Sequence, residues 1–289
     1  MNKIFHSIAI TLATLTSATS AMAKTPDLTS VTPNSPKNLP VEIAVAQEFD
    51  FGRHFKQLGI QGSIIIYDRN RKRFHEHNLK RNVTRFSPAS TFKIPNSLIS
   101  LETKAISDEK EVINWDGVFR EIDDWNQDLN IKEAFKFSAV WFYQVLARRV
   151  GYERMQQWLK KAKYGNQKIG SKEQIDRFWL DGTLQISPRE QVLFMQRLYE
   201  NKLPFSKRSL SIVKDIMVME KKPNYTIRAK TGWFGFGTKT KPQIGWYVGY
   251  LEKGKNVYFF ATNIDIRQEK DAAARKELTY RCLKEMGLL

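Results

Sequence analysis

Cysteine is nearly absent from this chain: Cys282 is the only one. No intramolecular disulfide can form, so stability has to come from packing. On a C-terminal amphipathic stretch, a lone cysteine reads as a small core residue rather than a catalytic thiol. Histidine is scarce too, with only His54, His75 and His77 beyond residue 23. That is poor material for a Ser-His-Asp triad. His75 and His77 share one face of an expected strand, but no third ligand pattern accompanies them. A solvated polar face is the plainer reading, and no metal is expected. There is no phosphate-cradling glycine loop and no dinucleotide fingerprint. Past the amino terminus no apolar run is long enough to span a bilayer.

Acidic residues are in deficit, 30 against 47 lysines and arginines, for a net charge of +17. Such a balance raises the question of nucleic acid. The charges are interspersed, however, as in Arg120-Glu121-Ile122-Asp123-Asp124. No basic tail, zinc pattern or RNA-binding aromatic motif is present. A cationic surface weakly attracted to anionic envelope components fits better, with no nucleic-acid partner.

Met1–Ala23 has the pattern of a secretory signal peptide: Lys3, a tempered apolar run from Ile8, and Ala21-Met22-Ala23 as the small-x-small cleavage site. Export, with a Gram-negative periplasm as destination and no stable membrane insertion, follows as an expectation. Residues 24–40 are rich in Thr, Ser, Asn and Pro and read as a flexible leader. Residues 41–289 form the expected catalytic domain. Val41–Leu58 has helical apolar spacing. Gly62–Tyr67 and Phe74–His77 read as a hairpin. Near the other end, Tyr225–Ala229 reads as a strand leading into Lys230-Thr231-Gly232. Ile244–Leu251 and Val257–Ile264 are two strong strands turning at Glu252–Lys255, and Asp271–Met286 is an amphipathic helix. From about 85 to 219 helical patterns dominate. The expected fold is therefore α+β: an antiparallel sheet flanked by N- and C-terminal helices, with an inserted, mainly helical subdomain. A cleft between the two parts is the natural place for a site.

The chemistry starts from Ser90-Thr91-Phe92-Lys93. Residues three apart on a helix share a face, so the Lys93 amine can reach the Ser90 hydroxyl. A serine is a weak nucleophile until a base takes its proton. About one Ser-x-x-Lys is expected by chance in a chain of this size. Three occur: Ser90/Lys93, Ser107/Lys110 and Ser211/Lys214. Ser90 is singled out by its company. Lys230-Thr231-Gly232 offers a cation, a hydroxyl and an uncluttered backbone where a substrate can come close. Ser138, in Ser138-Ala139-Val140, could relay a proton to a leaving nitrogen; alone it would read as a helix cap or a buried hydroxyl.

Ser-x-x-Lys, a serine triplet and Lys-Thr-Gly, in that order, are the signature of penicillin-interacting serine enzymes. Ser90-Thr91-Phe92-Lys93, Ser138-Ala139-Val140, Tyr164-Gly165-Asn166 and Lys230-Thr231-Gly232 together resemble the four motifs of the class D, or oxacillinase-type, serine β-lactamases. Phe178-Trp179-Leu180-Asp181-Gly182 and Ile244-Gly245-Trp246-Tyr247-Val248-Gly249 extend the resemblance, which runs from about Gly59 to the C-terminus. It implies a transpeptidase-like fold and hydrolysis of the β-lactam ring through an acylated Ser90. It implies an oxyanion hole from the N–H groups of Ser90 and Trp233, and proton delivery by Ser138. Substrate-carboxylate binding is assigned by it to Lys230 and Thr231 with Arg275, Arg267 being the alternative, and Gly232 is a further substrate-binding position. An ordinary lysine is neutral about once in a few thousand at pH 7. The resemblance resolves this with CO2 or bicarbonate, which converts Lys93 to a carbamate in a shell of Phe92, Val140 and Leu180, with the Trp179 indole N–H as donor. No other cofactor is implied. Where many class D members have Pro-Val after the serine triplet, this chain has Trp141-Phe142.

Two rivals differ in outcome. A β-lactam-sensing domain would share the motifs yet stay acylated, and such domains belong to integral membrane proteins. A peptidoglycan peptidase or transpeptidase lacks the Tyr-Gly-Asn element.

Overall fold

The computed structural model describes residues 49–289. The signal peptide at 1–23, the leader at 24–40 and the first half of the expected helix at 41–58 lie outside the described residues.

The helix that is described, α1 (Phe51–Leu58), starts at Asp50, whose side chain accepts from the Arg53 N–H, and stops at Gly59 in a left-handed conformation. The chain then enters β1 (Gly62–Asp68) and β2 (Arg73–His77). A short α2 (Leu79–Val83) leads to α3 (Lys93–Glu102). Next come a two-residue ladder of β3 (Val112–Ile113) with β4 (Leu129–Asn130), then α4 (Ile131–Phe137), α5 (Val140–Val150) and α6 (Tyr152–Ala162). After a long loop come α7 (Pro188–Tyr199) and α8 (Lys207–Ile216). β5 (Val218–Lys222), β6 (Tyr225–Phe234), β7 (Gln243–Lys253), β8 (Asn256–Ile266) and α9 (Ala274–Glu285) complete the chain.

The main sheet has the order β2-β1-β8-β7-β6-β5, antiparallel throughout. Its central strands are apolar on both faces, because both faces are covered. Side chains alternate accordingly. Ile65, Trp246, Val248, Phe259 and Ala261 join the core under the helical region. Ile64, Ile66, Tyr247, Leu251 and Phe260 join a second core with α1 and α9.

Three expectations need correcting. β6 does not end at Ala229; Lys230-Thr231-Gly232 stays in the ladder, with Thr231 opposite Tyr247 and Gly232 opposite Trp246. β5 was hidden because Val-Met-Glu-Lys-Lys has no strand alternation; it is an exposed edge whose lysines discourage further pairing. The His75/His77 face is not freely solvated. His75 packs against Phe49 and His77 against Phe55, and burial lowers both their pKa values.

Candidate active site

Ser90 sits in a tight turn (Ala89–Phe92) that runs directly into α3. Ala89, just before it, has φ 46°, a left-handed conformation that costs a non-glycine residue on the order of 1–3 kcal/mol. The surroundings hold it there. The Trp179 carbonyl accepts from both the Ala89 N–H at 3.1 Å and the Ser87 hydroxyl at 2.8 Å. The Thr91 hydroxyl donates to the Pro88 carbonyl at 2.7 Å, and the Trp246 indole donates to the Ser87 carbonyl at 2.9 Å. A Cβ on Gly232 would lie 3.0 Å from the Pro88 carbonyl oxygen, so the glycine lets β6 press against the turn that carries Ser90.

One turn on, Lys93 Nζ lies 2.9 Å from Ser90 Oγ. The lysine is only 1% exposed. Burial, and then the charge of Lys230, hold its pKa well below the usual lysine value. Lys230 is itself buried, and its pKa is pushed down to about 7, chiefly by burial and then by Arg275 and Lys276. The other two Ser-x-x-Lys pairs have no such geometry. Lys214 bonds the Tyr199 carbonyl and Asn201, not Ser211, and Ser107–Lys110 lies in an irregular segment outside any helix.

Ser138 ends α4 in a left-handed conformation, φ 62°, and lines the cleft beside Ser90. It is thus a helix cap by its backbone and a cleft residue by its position. The cleft has a volume of about 680 Å³. Val140, Leu180, Thr231, Gly232, Trp233 and Arg275 line it too. Arg275 donates to the Ala272 carbonyl and stands 5.7 Å from the Trp233 ring; burial lowers its pKa to about 10. Arg267 turns elsewhere, to the Gly59 carbonyl and Asp271, and lines a separate depression.

Phe92 and Trp179 lie beneath the cleft, fully buried and stacked with centroids 5.2 Å apart. The Trp179 indole nitrogen is buried and has no hydrogen-bond acceptor. An unsatisfied buried donor costs about 1–3 kcal/mol. Tyr164, Gly165 and Asn166 do not line the cleft. Tyr164 is buried against Phe92 and Phe194. The Asn166 N–H donates to the Gln185 carbonyl at 2.9 Å and its side chain to the Thr183 carbonyl at 3.0 Å. The motif therefore staples the segment that carries Trp179.

Some neighbours carry no motif signal. The Tyr143 ring face lies 5.1 Å from Lys93 Nζ, and its hydroxyl meets Ser97 at 2.9 Å. Gln191 donates to the Thr91 hydroxyl at 2.8 Å. Ile122, Trp125, Phe137, Phe234 and Phe236 make the cleft walls apolar. Each reads from sequence as an ordinary core or loop residue. Among the described residues no group of three His, Cys, Asp or Glu side chains is placed to hold a metal ion.

Comparison with known proteins agrees on one family. The family described as "Penicillin binding protein transpeptidase domain" matches residues 61–284. Beta-lactamase OXA-48 of Klebsiella pneumoniae is 43% identical over 250 residues, covering 85% of this chain and 92% of that protein. Beta-lactamase OXA-5 of Pseudomonas aeruginosa is 41% identical over 246 residues, covering 85% and 91%. The crystal structure of the class D β-lactamase YbXI from Nostoc superimposes with a TM-score of 0.81 at 59% identity, covering 83% of this chain and 99% of that one.

Proposed function

The chain belongs to the class D β-lactamases, and from that premise we propose that it opens the β-lactam ring by acylating Ser90, with Lys93 as base. The observation that carries this reading is the 2.9 Å contact between Ser90 Oγ and a fully buried Lys93. Burial disfavours the charged ammonium, so a lone pair is available on Nζ to take the serine proton. Ser90 Oγ then bonds the lactam carbonyl carbon, and the N–H groups of Ser90 and Trp233 receive the negative charge that develops on oxygen. The C–N bond breaks, and Ser138, on the cleft wall, relays the proton from Lys93 Nζ to the departing nitrogen, which leaves Nζ neutral again. Lys230, Thr231 and Arg275 hold the substrate carboxylate. Water, deprotonated in the same place, releases the product and restores Ser90.

The buried surroundings of Lys93 suit a carbamate on its Nζ. Trp179 Nε1 is a buried donor without an acceptor, and a carbamate oxygen would satisfy it. Phe92, Val140 and Leu180 would shield the group. When bound to Nζ, CO2 supplies an anionic general base at this position. The sequence of residues 1–23 supports export to a Gram-negative periplasm, and among the described residues no helix is long and apolar enough to cross a membrane. Hydrolysis there would protect the cell from penicillin-type antibiotics.

Intact-protein mass followed over time after mixing with benzylpenicillin and bicarbonate tests the proposal. Rapid turnover with a transient adduct on Ser90 is expected, and Ser90→Ala should abolish both. An adduct that persists for hours would sink the hydrolytic reading and favour a β-lactam sensor.

A further inference from the structure

Trp141, in the pair that replaces Pro-Val, takes no part in the acylation chemistry, yet its surroundings are specific. It is 3% exposed, and its indole N–H still reaches an acceptor: the Trp125 carbonyl, at 2.8 Å. Trp125 in turn donates its own indole N–H to the Phe137 carbonyl at 2.9 Å. Two indoles therefore link α5, the segment containing Trp125, and the end of α4 beside Ser138. That segment has one short turn (Asp123–Trp125) as its only regular structure between β3 and β4. Asn126 braces it across Arg120, accepting from its N–H at 2.8 Å and donating to its carbonyl at 2.9 Å. The Arg120 guanidinium lies 5.7 Å from the Trp141 ring. Ile122, Trp125 and Phe137, all held by this assembly, line the cleft together with Ser90.

A wall that rests on loop residues such as Ile122 and Trp125 is only as well placed as the bonds that tether it. We propose that Trp141 is a positioning residue: its N–H fixes Trp125, and through it the apolar wall that packs against the acyl side chain of a penicillin. This rests on the reading of the cleft as a β-lactam site with Ser90 as nucleophile. In that reading Lys230 and Arg275 serve the carboxylate end, so the influence of Trp141 is confined to the side-chain end.

The test compares benzylpenicillin with the same penicillin nucleus lacking its phenylacetyl group. Steady-state kinetics are measured for the wild type, for Trp141→Phe, and for protein with benzothienylalanine at this position, which replaces the N–H by sulfur and keeps the ring. Loss of one tether is worth about a three- to tenfold rise in KM for benzylpenicillin. KM for the bare nucleus, and kcat for both, should stay within about twofold of the wild type, and the two replacements should agree. An unchanged KM for benzylpenicillin, or an equal shift for both substrates, overturns the proposal. If the wild type hydrolyses neither compound, the reading of the cleft fails and this inference goes with it.

Discussion

Trp179 presents two different polar groups. Its carbonyl anchors the nucleophile turn through Ser87 and Ala89, while its indole N–H has no acceptor. Trp179→Phe keeps most of the stacking on Phe92 and removes only the donor, whereas Trp179→Ala adds a cavity costing about 3–5 kcal/mol. With Trp179→Phe, acylation by benzylpenicillin should be altered little, and release of the adduct should slow on the order of 100-fold. Added bicarbonate should restore part of it. Adduct lifetime by mass measures the effect, and an unaltered lifetime would remove Trp179 from the chemistry. At this scale the sequence was readable where local helical spacing decides proximity: once the segment after Ser90 is helical, Lys93 lies one turn from it. It was not readable for Tyr143 or Gln191. Their partners come from other elements, and an aromatic at helical spacing looks like core until its neighbour is known.

Among the elements, the loop from Tyr164 to Ile186 depends on one backbone conformation. Gly165 has φ 52°, and a Cβ there would lie 2.2 Å from the Gln185 carbonyl oxygen. Gly182, in the same loop with φ 88°, has nothing within 4 Å. Gly165→Ala should therefore cost about 2–4 kcal/mol, strain plus overlap, against about 1–2 for Gly182→Ala, where only strain applies. Urea unfolding midpoints would separate the two; equal losses would mean that Gly165 is needed only for its torsion. The strong strands were legible because covered central strands are apolar throughout. β5 was not, since an edge strand has no such requirement. The continuation of β6 through Lys230-Thr231-Gly232 was missed because a cation and a glycine look like the end of a strand. The glycine is set by the Ser90 turn packed against it.

For the molecule as a whole, buried titrating groups outweigh the scattered surface pairs in setting pH dependence. Folding lowers the Lys230 pKa from 10.5 to about 7, and that of Lys93 moves the same way. Between those two values the unfolded chain binds more protons at Lys230, so stability rises with pH, by about 1.4 kcal/mol per unit, and is flat below; the lowered Lys93 value acts in the same direction. Folding raises the pKa values of the buried Tyr143 and Tyr164 above 10.0, which makes stability fall once unfolded tyrosines begin to ionise. Urea midpoints in bicarbonate-free buffer should therefore climb from neutral pH to a maximum in the mildly alkaline range. Lys230→Met should flatten the climb, and an unchanged slope would mean that this lysine keeps its proton in the native state. The topology has a consequence of another kind. The Ser87 carbonyl is met by Trp246, 159 residues later, and β1 finds its inner neighbour only in β8. Until the last strands are synthesised, the first half of the sheet has no partner on that side and the nucleophile turn lacks its clamp. Such long-range closure makes folding slow and late. A nascent chain of this design cannot complete the turn that carries Ser90 until its far end has been made.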